Sequence, residues 1–122
     1  TLIAAIDESN LYHFNNLHSI SPIEKNYDLN YFLVAYLNSK VGNFYYQTLT
    51  REVGRVLPQV DIDTLHQLPI INTYTEYIDK FKNIISLEVE IDLQLDHINN
   101  LFFEIYNLTS NEIEYITNAT KY

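Results

Sequence analysis

Lys40, Arg51 and Arg55 fall in one window, residues 40–59, whose only acid is Glu52, so this stretch carries a net +2 in a chain of formal charge −9. Arginine can grip guanine O6 and N7 as a bidentate fork, and glutamine can pair with adenine N6 and N7, each good pair supplying about 1 to 3 kcal/mol of discrimination. Arg51, Arg55 and Gln59 are therefore the candidates for base edges. Lys40, Asn43, Gln47, Thr48 and Thr50 suit phosphate oxygens, contacts that fix position without reading sequence. Taken alone, three cations in a loop region are more often ordinary solvated residues. The pattern points to nucleic-acid recognition only if something else does so too.

Other chemistries find less support. None of His13, His18, His66 and His97 stands i, i+4 from another, and there is no Cys, so a zinc site would have to be assembled by folding alone. Asp92 and Asp96, one turn apart, read as the solvated face of an acidic helix, and Asp61 and Asp63 as cap and turn residues. The only two glycines, Gly42 and Gly54, are too far apart to form a phosphate-cradling loop, and no Ser or Thr sits in a nucleophile-elbow context. No catalytic residue, cofactor-binding residue or metal ligand is assigned.

The elements that must position these residues follow from periodicity. Leu2–Ile6 and Leu11–Phe14, separated by Asp7–Asn10, read as a β-hairpin ended by Pro22. Asp28 is placed to N-cap a continuous helix from about Leu29 to Thr48, whose Phe32, Leu33, Tyr36, Leu37, Val41, Phe44 and Tyr45 recur at three- and four-residue steps. Gly42 inside it costs about 1 kcal/mol relative to Ala, so a close approach to its backbone is expected, from the core rather than from a ligand. Val56–Val60 reads as an edge strand interrupted by Pro58.

Two apolar stripes follow: Tyr74, Tyr77, Ile78, Phe81, Ile84 and Ile85, then Ile91, Leu95, Ile98, Phe102 and Ile105. They predict an antiparallel helical hairpin. Thr109 and Glu112 have capping-box spacing, with Leu108 and Ile113 as the staple, so a short last helix begins there. The expected class is α+β: a small antiparallel sheet around a buried central helix, then the hairpin and the short helix. Residues 1–122 are expected to form one unit, with a mixed recognition part over 1–72 and a helical part over 73–122.

At 122 residues and 47% apolar content, such a chain buries roughly two thirds of its unfolded surface and needs no staples. The lack of Cys fits a reducing cytoplasm, and no apolar run is long enough for a membrane span or leader. Beginning at Thr1 in an apolar run and containing no Met, the sequence reads as a piece of something longer, with removal of an initiator Met before Thr as the alternative.

Leu37-Asn38-Ser39-Lys40, the aromatic Phe44-Tyr45-Tyr46 that follows and the stop at Leu68-Pro69-Ile70 resemble the "LLNSK", "FYY" and "LPI" elements of the TaqI-like C-terminal specificity domain. A second segment, from Asp96 to Thr109, is similar to that family's "ID-x-L-V-Y-E-L-Y-G-L-T" ending, with Asn107 where the family usually has Gly. The resemblance implies a target-recognition module of bacterial adenine-N6 DNA methyltransferases in restriction-modification systems. Its partners would be double-stranded DNA and an adjoining methyltransferase domain that binds S-adenosylmethionine; this piece itself would need no cofactor. The Asn/Asp-Pro-Pro-Tyr/Phe motif of such catalytic domains is absent here. The competing reading, from the −6 carried by residues 88–122, is a helical protein–protein docking domain of a multidomain bacterial enzyme.

Overall fold

Phe32, Phe81 and Phe102, one from each of three helices, meet with no exposed surface at the centre of the molecule. In the computed structural model, which describes residues 2–6, 19–21, 27–50 and 62–121, the elements are α1 (Leu29–Asn38), α2 (Lys40–Thr50), α3 (Ile62–Leu65), a 3₁₀ turn (Tyr74–Glu76), α4 (Ile78–Ile85), α5 (Ile91–Ile105) and α6 (Ser110–Ala119). The Phe32 ring packs edge-on to Phe81 and Phe102, with centroids 5.5 and 5.9 Å away, while Phe81 and Phe102 are 4.8 Å apart. Offset and edge-on pairs of this kind contribute about 0.5 to 1.5 kcal/mol each beyond the area they bury. They hold α1 against the α4–α5 pair.

The expected α+β class is overturned. The described structure is helical, and no strand occurs among the described residues. Residues 2–6 show the reason. The Leu2 N–H donates to Asn43 Oδ1 at 2.6 Å, and Ala4 exchanges two bonds with the Asn38 carboxamide, donating at 2.9 Å and accepting at 2.8 Å. An Asn side chain presents the same donor and acceptor as a peptide unit. Backbone polarity that a neighbouring strand would have satisfied is met here by helix side chains. The other arm of the expected hairpin, Leu11–Phe14, and the edge strand, Val56–Val60, lie outside the described residues.

The expected continuous central helix is also corrected: it breaks at Ser39, whose backbone is extended (φ −76°, ψ 157°). Ser39 then acts as the N-cap of α2, its hydroxyl accepting from the Gly42 N–H at 2.9 Å while donating to the Tyr36 carbonyl at 2.7 Å. The close approach to Gly42 comes from that same carbonyl, which a Cβ would strike directly. Asp28, expected as a cap, has helical φ and ψ and no capping bond; its carboxylate instead meets Lys82 at 3.3 Å in an exposed ion pair, which contributes little stability.

Helices α4 and α5 stand where the two apolar stripes were read. The chain reverses between them, since Gln94 Nε2 donates to the Ile84 and Ile85 carbonyls at the end of α4. Ile91 does not join the stripe; it is exposed. At the end of α5, Asn107 takes φ 51°, and the Leu108 and Asn107 N–H groups bond the Phe103 and Glu104 carbonyls at 3.0 Å, a Schellman closure. Thr109 and Glu112 form the reciprocal capping box of α6, and the two hydrogen bonds from Thr109 hold the Glu112 carboxyl below its usual range.

Two phenols sit in the core without partners among the described residues, Tyr36 and Tyr106. Burial pushes the Tyr36 hydroxyl well above the usual tyrosine range, helped by Tyr106 and Tyr45, and burial with Tyr45 nearby pushes Tyr106 up to about 12. A raised folded-state pKa stabilises the fold fully below the unfolded value near 10 and loses that stability as pH rises through the folded value. Urea midpoints should therefore hold to about pH 9 and fall above about pH 10. Tyr36→Phe should flatten that fall and, by removing a buried hydroxyl with no partner, leave neutral-pH stability unchanged or raised by about 1 kcal/mol. Gly42→Ala should cost about 3 kcal/mol, the upper end for overpacking against rigid backbone, read from the same denaturation curves.

Candidate nucleic-acid interface

α2 carries the candidate residues because the Ser39 break sets its start and its aim. Its first N–H, on Lys40, donates to Asn99 Oδ1 of α5 at 2.8 Å, and Asn99 is itself buried. Lys40 is thus pinned by its backbone to the core while its half-buried side chain sits on the helix flank. Lys40, Gln47 and Thr48 recur at steps of seven and eight, which puts them on one face of α2.

Asn43 and Thr50 belong to the neighbouring, inward face. The Asn43 carboxamide is fully used inside the chain: besides accepting from Leu2, it donates to the Leu37 and Ser39 carbonyls at 3.1 and 2.9 Å. Thr48 and Thr50 donate their hydroxyl protons back to the Phe44 and Tyr46 carbonyls, at 2.8 and 2.9 Å. A phosphate oxygen accepts and never donates, so either hydroxyl must release its own helix before it can serve one. The side-chain donors on this face are the Lys40 ammonium and the Gln47 amide. Arg51, Arg55 and Gln59 lie outside the described residues.

Asn38, Ser39 and Asn99 stand in the segments that carry the family resemblance, but their positioning role is not read from sequence. Asn38 and Ser39 interrupt an apolar run, and Asn99 is a polar residue beside Ile98 on the inward side of α5. Polar side chains on buried faces are the signal that was available.

Around this face the surroundings are mixed. α6 packs on α2, with the Phe44 and Tyr115 rings 5.9 Å apart and edge-on. An open groove between α4 and α5 is lined by Lys80, Asn83, His97, Asn100 and Glu104, a set that includes one ammonium and one carboxylate. Among the described residues, no three His, Asp or Glu side chains come together as a metal ion would need. Nor is any described helix long and apolar enough to cross a membrane.

The family model of the TaqI-like C-terminal specificity domain matches residues 1–70. The chain belongs to this family, which places it among the target-recognition modules of restriction-modification methyltransferases, a specificity class rather than a catalytic one. The match takes in α1, α2, the basic window and Leu68-Pro69-Ile70; the segment from Asp96 to Thr109 lies beyond it. Neither the curated proteins nor the solved structures returned a match.

The two sides of α2 should separate cleanly under substitution. Asn43→Ala leaves the Leu2 N–H and the Leu37 carbonyl without their partner and should cost about 2 kcal/mol of unfolding free energy, within the range for orphaned buried groups. Lys40→Ala should change stability by less than about 0.5 kcal/mol. Thermal or urea denaturation of both variants checks this. Equal losses would place the Lys40 side chain in the structural junction.

Proposed function

We propose that this chain selects the target sequence of an adenine-N6 DNA methyltransferase, holding duplex DNA in the cytoplasm while an adjoining domain carries out methyl transfer. The observation that carries the reading is the coincidence of the family match with the basic window: residues 1–70 contain Lys40, Arg51 and Arg55 and the helix that leads into them. In this reading Lys40 and Gln47 hold the phosphate backbone, with Thr48 and Thr50 adding to it when their hydroxyls turn outward. Arg51, Arg55 and Gln59 reach base edges in the major groove. Asn43 contributes by fixing the N-terminal run to α2. The S-adenosylmethionine site belongs to the catalytic domain, and extrusion of the target adenine requires that the flanking duplex be held while stacking is lost.

The acidic remainder limits affinity. With three cations available, log K for duplex should fall with log salt at a slope no steeper than about −3, and binding by this part alone should be no tighter than about 10⁻⁴ M at physiological salt.

Methylation mapping of the full-length enzyme tests the assignment. Arg51→Ala and Arg55→Ala should each relax selection at one base position by about tenfold to a hundredfold, the equivalent of losing one bidentate contact. Lys40→Ala should weaken binding alike on all sequences and make the salt slope shallower by about one. Target sequence and rate unchanged in both arginine variants would overturn the reading.

A further inference from the structure

The link between α4 and α5 presents an unusual surface. Leu87 and Val89 in the link and Ile91 and Leu93 on the first turn of α5 are 44, 40, 64 and 47% exposed. Their exposure is not that of a loose end. The Ser86 and Leu87 N–H groups donate to the Lys82 and Ile84 carbonyls at 3.0 and 3.1 Å, and the Gln94 amide closes the other side. Four aliphatic side chains within seven residues are thus held out from a tied backbone, a local concentration of exposed apolar groups of the kind that marks an interaction site.

Charge narrows what can cover them. Glu88, Glu90 and Asp92 alternate with the aliphatics and are all exposed, and no Lys or Arg occurs in the sequence between Lys82 and Lys121. A second copy docking through the same patch would set these carboxylates against their own equivalents across a two-fold axis. Duplex DNA would be repelled in the same way. The complementary occupant is a protein surface with an apolar socket and a rim of Lys or Arg.

We propose that this turn docks onto a basic-rimmed apolar surface of the methyltransferase domain that the specificity module serves. The partner's identity rests on the function proposed above; the chemistry of the contact rests on the turn itself. Such docking leaves the DNA face open: Ile91 is eight residues, about 12 Å along α5, from the Asn99 that holds Lys40.

Photo-crosslinking tests the contact in the full-length enzyme with and without target duplex, using p-benzoylphenylalanine in place of Ile91 and, as a control, in place of Tyr115. The expected product joins position 91 to a Lys- or Arg-bearing peptide of the methyltransferase domain in both conditions. Its yield should drop at least fivefold when Glu88→Lys, Glu90→Lys and Asp92→Lys are combined, with circular dichroism unchanged. Should that variant fold poorly, the neutralising set Glu88→Gln, Glu90→Gln and Asp92→Asn should still lower the yield. A crosslink to DNA, to a second copy or to nothing overturns the proposal, as does a yield indifferent to the charge changes. Loss of the arginine assignment in methylation mapping would leave this crosslink standing, and its absence would leave that mapping standing, so the two failures are distinct.

Discussion

The Tyr36 carbonyl at the end of α1 is the point on which the arrangement of the candidate interface turns. The Ser39 N–H and hydroxyl both bond to it, the hydroxyl passes the Gly42 N–H into the same cluster, and Gly42 must lack a side chain for the two helices to approach. Around it the amides of Asn38 and Asn43 hold the N-terminal run, and Asn99 receives the first N–H of α2 from a helix distant in sequence. Removing any one of these partners leaves a buried donor or acceptor unmet, which costs about 1 to 3 kcal/mol where a hydrogen bond made contributes about 1. That asymmetry, more than the strength of any bond, fixes the direction in which α2 leaves the core and so the face on which Lys40, Gln47 and Thr48 stand.

The aromatic core supplies the platform for this junction. Tyr36, which lends its carbonyl to the break, stacks on Phe32 at 6.1 Å and packs edge-on to Phe102 at 5.8 Å between ring centroids, so the same residue serves both the polar junction and the apolar cluster. Its hydroxyl is left without a partner among the described residues. The ring is placed by the packing of α1 on α4 and α5, and the backbone by the turn at Ser39. Little freedom remains for the phenol to seek a partner of its own.

Much of the helical framework was legible in the residues. The apolar stripes, read over 74–85 and 91–105, hold in α4 from Ile78 and in α5 from Leu95, with Tyr74 in a 3₁₀ turn and Ile91 exposed, and the Thr109–Glu112 capping pair, which depends only on neighbours in sequence, is where cap chemistry puts it. The close approach at Gly42 was legible as a need for space, though not as the Tyr36 carbonyl. What escaped depended on partners remote in sequence. Asn38 and Ser39 interrupt the apolar run, but the period resumes in step at Val41, so the interruption does not by itself mark a break. Leu2–Ile6 has the composition of a strand, but its bonds go to carboxamides 34 and 41 residues away, which no strand pattern encodes. Of the expected interface residues, Asn43 looks like any other polar side chain in sequence; only burial shows that its amide is spent on holding the chain together.

Charge and packing together assign different tasks to different parts of the surface. A protein of net −9 can approach a polyanion only where its own field is locally reversed, as it is over residues 40–59, the basic window inside the family match. The exposed carboxylates of α5 and α6, from Asp92 to Glu114, add repulsion for any duplex that approaches from their side. At physiological salt that repulsion is screened beyond a Debye length of about 8 Å, so it acts only on a duplex brought close to these acids. Under the proposed function, the same acids that weaken non-specific binding would also restrict how a duplex docks. For a module of the specificity class, a small basic island on an acidic body is a workable arrangement, because contacts that do not discriminate between sequences are kept few.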